Sequence, residues 1–151
     1  GLSKSETARA VGRLTPETTL VMVEDIPGMM LLLKEQIDQL AAASPPETPI
    51  VNVLPADDSF VTAHRASRAR LLADPKLQRR VYSSAGAARP TILVNGQVVG
   101  LWHWGVEAGQ EQITWGLITA VDPAFLPAVK AGLERVAAFL DSETAVIQES
   151  T

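Results

Sequence analysis

The stretch RPTILVNGQVVGLWHW, from Arg89 to Trp104, limits the fold more than any other part of the chain. Two runs rich in β-branched residues flank Asn95-Gly96. A two-residue loop between antiparallel strands needs positive φ at both central positions, and Asn-Gly accepts this readily. The stretch therefore predicts a hairpin with an antiparallel sheet around it. Gly100 predicts a bulge or a close approach of another backbone. Neighbouring side chains on a strand face opposite ways, so Trp102 and Trp104 share one face and His103 takes the other. The two tryptophans are read as core, packed against the C-terminal helix. A base-stacking platform is the alternative.

The flanking segments supply partners for this hairpin. VNVL (51–54) and EQITWGLI (111–118) read as further strands, the latter with Ile113, Trp115 and Leu117 on one face. Between them, residues 61–82 read as helix in two parts, the second capped by Asp74 with Pro75 at its first position. Asp122-Pro123 opens a helix to Leu140, with Leu126, Val129, Leu133, Val136, Ala137 and Leu140 at helical spacing. The polar last ten residues are expected to fray.

Upstream, Ser3-Lys4-Ser5-Glu6 has capping-box spacing before a short helix that is basic through Lys4, Arg9 and Arg13. TTLVMVED (18–25) and MMLLLK (29–34) form a second hairpin around Ile26-Pro27-Gly28, and EQIDQLAAA (35–43) reads as a helix. A basic helix followed by a hairpin is the order found in the second half of a winged-helix unit. The Pro-rich stretch from Ser44 to Pro49 is the clearest boundary. The expected class is thus α+β. A partial winged-helix unit and its following helix (1–43) precede a small antiparallel sheet or β-barrel closed by a C-terminal helix (50–141), and a tail (142–151) ends the chain.

Charge is unevenly spread. The 151 residues carry a net charge of −4. Residues 61–90 hold seven basic residues, Arg65, Arg68, Arg70, Lys76, Arg79, Arg80 and Arg89, against one acid, Asp74, a net of +6. The remainder holds six basic and sixteen acidic residues. A strongly basic segment in an acidic chain is either a phosphate-contacting surface or a solvated face. With no cysteine, a disulfide framework or thiolate zinc site is excluded. No apolar run reaches about 18 residues, the length of a membrane span. No signal peptide opens the chain, so a soluble cytoplasmic protein is expected. The start at Gly1-Leu2-Ser3, without Met, suggests a piece of a longer polypeptide.

Few residues invite catalytic chemistry. Asp57-Asp58 follows a strand, where a carboxylate can serve as a base or bind a metal, but such a pair also closes turns and caps helices. His64 and His103 are the only histidines and lie far apart in sequence. A small hydrolase using Asp57, Asp58, His64 and His103 would need these groups to converge. No Gly-rich phosphate loop, serine elbow or zinc pattern is present, and nothing marks a metal or cofactor site. A protein-interaction or structural module is the other alternative. There the basic segment would pair with the acidic remainder, within the chain or across a homodimer.

Four stretches together resemble the C-terminal region of the winged-helix DNA-binding protein family that includes the AlkZ-like bacterial DNA glycosylases. GLSKSETARAVGRL and the hairpin after it resemble that family's last winged-helix unit. VLPADDSFVTAHRASR resembles its Leu-Leu-Pro-x-Phe-Asp-x-Tyr-Leu-Leu-Gly-Tyr segment. Here Asp58 stands at the matching Asp, Phe60 replaces Tyr, and Ala63-His64 replaces Gly-Tyr. RPTILVNGQVVGLWHW resembles a Pro-Thr-x-Leu-Val-x-Gly-x-Val-x-Gly-x-Trp hairpin, and DPAFLPAVKAGLERVAAFL the closing helix. The resemblance covers roughly residues 1 to 140.

It implies a DNA-binding fragment of a repair glycosylase for alkylated bases, with double-stranded DNA as partner and no cofactor. Lys4, Arg9, Arg65, Arg68, Arg70, Arg79 and Arg80 would contact phosphate, adding affinity without reading sequence. In the glycosylases the catalytic motif is Gln-x-Gln or Gln-x-Asp near the start of a much longer chain. Gln36-Ile37-Asp38 matches in letters only. It follows the wing, lacks the Arg- and His-containing continuation, and is read as helix with Ile37 turned inward. Catalytic residues are therefore unassigned, and this chain alone is expected to be inactive.

Overall fold

A computed structural model of the chain describes residues 3–24, 28–44, 46–62, 65, 68–140 and 146–149. The chain forms two compact units, Gly1–Pro45 and Pro46–Thr151.

The first unit opens with α1 (Lys4–Arg13). Its capping box forms as the spacing predicts: Ser3 N donates to Glu6 Oε2 at 2.7 Å, and Glu6 N donates to Ser3 Oγ at 3.3 Å. Ser3 Oγ also donates to Glu6 Oε2 at 2.6 Å, and this bond, with that from Ser3 N, holds the Glu6 carboxyl below its usual range. A 3₁₀ turn leads into the antiparallel pair β1 (Thr18–Met22) and β2 (Met29–Leu33), in register from Thr18↔Leu33 to Met22↔Met29. A second 3₁₀ turn and α2 (Ile37–Ala42) follow. None of the described residues of this unit is buried. The inward placement expected for Ile37 is corrected by this: Ile37 is 40% exposed and Leu40 63%. Within this short unit α2 has no apolar layer to bury a stripe against.

Among the described residues, all the buried apolar ones lie in the second unit, from Val61 to Ala137. Its strands β3 (Val51–Leu54), β4 (Thr91–Val94), β5 (Gln97–Glu107), β6 (Gln110–Leu117) and β7 (Val146–Glu149) form one open sheet in that order. The first three pairings are antiparallel and β6–β7 is parallel. Residues 146–149, expected in a frayed tail, thus pair as an edge strand. The sheet, and not a closed barrel, is the form adopted.

Each face of the sheet carries a helical layer. One packs Ile92, Val94, Val99, Ile113 and Trp115 against Val129, Leu133 and Ala137 of α6 (Leu126–Phe139). The other packs Leu93 and Val98 against Val61, Leu71, Leu72, Val81 and Tyr82. These come from three short helices and the residues next to them: α3 (Ser59–Thr62), α4 (Arg68–Leu71) and α5 (Pro75–Val81). They stand where two longer helical parts were expected. Strand β4 is buried along its whole length, which explains why TILV is a continuous apolar run apart from Thr91.

The Asn95-Gly96 turn has the predicted geometry, with φ of 51° and 78°. Gly100 marks both features expected of it. The register slips between Ile92↔Gly100 and Leu93↔Val98, so Val99 is the extra residue of a bulge. A Cβ on Gly100 would stand 2.8 Å from Gly116 O. The slip changes the alternation: Val99 and Trp102 pack on the α6 side, Val98 and Leu101 on the other.

The tryptophan expectation needs correction. Trp102 is half-buried against the α6 layer, and its indole N–H donates to Leu54 O at 2.8 Å. Trp104 is 41% exposed, and Trp115 is the fully buried indole. Strand β4 ends opposite Leu101, so beyond Trp102 strand β5 is paired only with β6.

Two substitutions test this packing. Gly132 of α6 lies so close to β3 that a Cβ would stand 2.9 Å from Val53 Cγ2. Gly→Ala inside a helix gains about 1 kcal/mol in propensity, but overpacking costs about 1–3 kcal/mol. Gly132→Ala should therefore lower the melting temperature, and adding Val53→Ala should return part of the loss. Thr91 Oγ1 is buried without a partner. Thr91→Val should raise stability by about 1 kcal/mol, because an unpaired buried hydroxyl carries a desolvation penalty. A drop on urea titration would mean that the hydroxyl is satisfied.

Candidate nucleic-acid interface

The basic segment folds into the α3–α5 layer and the loop after it. Asp74 caps α5 as expected, accepting from Lys76 N at 2.7 Å. Gln78 Nε2 donates to Leu72 O at 2.8 Å, fastening α5 to the end of α4. Loop 83–87 closes on itself: Ser83 N donates to Ala87 O at 2.8 Å, and Ala87 N donates to Ser83 Oγ at 3.1 Å.

Arg65, Arg68 and Arg79 come together here. They line one cleft of about 690 Å³ with Gln78, Tyr82 and Ser83, and among the described residues no acid lines it. Arg68 is the fixed member. Its guanidinium lies 3.8 Å over the Tyr82 ring and donates through Nη2 to Gly86 O at 3.0 Å. Its Nε is buried without a partner. Arg65 and Arg79 are exposed. Arg70 is exposed on α4 and lines neither this cleft nor the one described next.

Arg80 turns elsewhere. Successive helical residues diverge by about 100°. Arg79 and Arg80 thus serve two clefts, and Arg80 lines the second with Arg89 and His103. Arg89 was counted in the basic segment but not placed among the contacts; the charge count was the signal that could have found it. Lys4 and Arg9 are exposed on α1, in the other unit.

Asp57 adopts φ of 57°, and its side chain accepts from Ala88 N at 2.7 Å. Asp58 caps α3, accepting from Phe60 N at 2.8 Å. His64 lies outside the described residues. Each carboxylate named in the hydrolase alternative thus accepts from a backbone N–H. Among the described residues no group of three or more His, Asp or Glu could hold a metal ion. No helix among them is long and apolar enough to cross a membrane.

The family model for the AlkZ-like DNA glycosylases matches residues 1–139. The chain belongs to that family. Among solved structures, the DNA glycosylase AlkZ of Streptomyces sahachiroi is similar to this AlkZ-like chain with a TM-score of 0.68 at 23% identity. The likeness covers 99% of this chain and 38% of AlkZ, and it shows a shared fold. No curated protein matches the chain.

Tyr82 ties the cleft to the core, its hydroxyl donating to Val61 O at 3.1 Å. Burial pushes its pKa above the ordinary value, and the Arg68 charge pulls the other way. A phenol with a raised folded-state pKa stabilises the fold fully below the unfolded pKa, about 10, and loses that contribution as pH rises through the folded pKa. Stability should therefore fall above about pH 10. In Tyr82→Phe this part of the fall should vanish, at the cost of about 1 kcal/mol at neutral pH from the lost hydrogen bond. Urea titrations of both proteins at pH 8 and pH 11 provide the check; parallel losses in the two would refute it.

Proposed function

We propose that this AlkZ-like chain is a DNA-contacting part of a base-excision repair protein, and that the catalytic machinery lies in sequence outside it. The observation that carries the proposal is the cleft of Arg65, Arg68 and Arg79, three guanidinium groups gathered without an acid in a chain of net charge −4. Family membership supplies the ligand class, since DNA glycosylases act on DNA. Arginine suits phosphate because its planar fork donates two hydrogen bonds to two oxygens. Arg68 is preorganised by Tyr82 and Gly86, so less side-chain freedom is lost when it meets an anion.

Arg70 on α4 and Arg80 on α5 add contacts to duplex phosphate, and Lys4 and Arg9 on α1 supply contacts of the other unit. The helix α1 with the hairpin β1–β2 is then the end of a winged-helix unit. The chain spans 38% of AlkZ. On this reading the chain by itself is a binding fragment that does not excise bases.

Fluorescence anisotropy of a labelled DNA duplex, titrated at several salt concentrations, tests this. Binding should weaken steeply with salt, by about 0.9 in log K per log salt for each phosphate contacted. Reversing Arg65, Arg70 and Arg79 to Glu should weaken binding at least ~10-fold and flatten the slope by about 2–3. Melting temperature should change little, because all three are exposed. Unchanged affinity in a folded triple variant would sink the proposal. A lowered melting temperature with unchanged DNA affinity would instead assign the arginines to protein contacts.

A further inference from the structure

The second cleft is built from different parts. It holds about 510 Å³ between the end of α5 and the β5–β6 pair. Arg80 comes from the last turn of α5. Arg89 comes from the segment leading into β4, and its N–H donates to Val81 O at 2.9 Å. That bond fixes the Arg89 backbone beside the turn that carries Arg80. Trp102 N donates to Pro90 O at 3.2 Å, which holds the same segment against β5. The two arginines therefore sit over the sheet from two anchored backbones.

The floor is the sheet face opposite α6. Leu101 and His103 of β5 stand there, opposite Gly116 and Thr114 of β6. Gly116 contributes no side chain, which leaves depth between its neighbours. Gly105 leaves room for the imidazole of His103, since a Cβ there would stand 3.1 Å from Nε2. Two guanidinium groups, a hydroxyl and an imidazole thus face one space, and among the described residues no acid lines it. Among the described residues neither guanidinium has a hydrogen bond or an ion pair.

We infer that this cleft is a second phosphate-binding site, in which Arg80 and Arg89 clamp one phosphate of a nucleic-acid backbone and Thr114 and His103 donate to its oxygens. It rests on the proposed DNA-binding function and adds a contact to it. Arg79 and Arg80, adjacent on α5, hand the strand from one cleft to the other. A phosphodiester suits the cleft because its charged oxygens can meet Arg80 and Arg89 on one wall while Thr114 and His103 offer donors from the floor. The projecting ends of β5 and β6 are excluded from the track, because Glu107 and Glu111 there would repel phosphate.

Duplex anisotropy with the full chain decides the matter, comparing Arg80→Ala/Arg89→Ala with Arg65→Ala/Arg79→Ala. Arg80→Lys/Arg89→Lys serves as a charge-conserving control, and melting curves confirm folding. The expected result is a 5- to 10-fold loss for each alanine pair, a salt slope flattened by about 1 in each, and partial retention in the lysine pair. Loss confined to Arg65→Ala/Arg79→Ala would overturn the second site and leave the DNA-binding proposal standing. Absence of duplex binding by the unaltered chain at low salt would overturn both. Inorganic phosphate is the second probe: amide shifts of Arg89 and Thr114 on phosphate addition, with duplex affinity unaffected by Arg80→Ala/Arg89→Ala, would assign the cleft to a free anion and overturn the backbone contact.

Discussion

One extra residue in β5 decides which side chains meet which layer. Without the bulge at Val99, strict alternation would place Leu101 with Val99 and Trp102 with Val98. With it, Val99 and Trp102 meet α6 while Val98 and Leu101 meet the α3–α5 layer. The bulge survives because Val99 O finds other partners, accepting from Ile118 N at 2.8 Å and Thr119 N at 3.3 Å. It also depends on the absent side chain of Gly100, beside Gly116 O. A one-residue change in register here would move His103 to the α6 side and take it out of the second cleft.

The basic clefts depend on this arrangement through a few fixed points. Asp57 reaches across to Ala88 N, and Tyr82 pairs with Ala88 in an isolated bridge. These ties close the segment 57–88 into a loop packed on the sheet. Within it, Arg68 stacks on Tyr82, and Tyr82 in turn bonds Val61 O. Burying an arginine flank is costly unless its donors are met, and here one Nη2 bond and the ring face offset that cost while Nε remains unmet. Arg68 therefore serves the architecture of the cleft, and the exposed Arg65 and Arg79 are the residues free to reorient toward an anion.

Strands β1 to β6 and the caps at Ser3, Asp74 and Asp122 are legible in the sequence because each has a local cause. Asn95-Gly96 needs positive φ, Asp74-Pro75 and Asp122-Pro123 need a helix start, and VNVL and EQITWGLI carry β-branched alternation. The errors were non-local. Trp104 was assigned to core from its spacing to Trp102, but how far β4 runs beside β5 is set by the turn at Asn95-Gly96 and the start of β4 at Thr91. Strand β7 pairs through its backbone with β6, and such pairing leaves little trace in four polar-flanked residues. The inward turn of Ile37 was read from periodicity, which reports amphipathicity but not whether a partner layer exists. In the candidate interface, charge density located the segment, yet its division between two clefts follows from the angle between Arg79 and Arg80 on α5.

Net charge is a poor guide to what such a surface attracts. At physiological ionic strength charges separated by more than about 8 Å are largely screened from one another when exposed. An approaching phosphate therefore feels the guanidinium groups lining a cleft far more than the acids elsewhere in the chain. Acidic residues are absent from the linings of both clefts but occupy the tip of the β5–β6 pair, at Glu107 and Glu111. If the proposed function holds, like-charge repulsion at the projecting strands and attraction at α5 would direct a phosphate backbone toward the clefts.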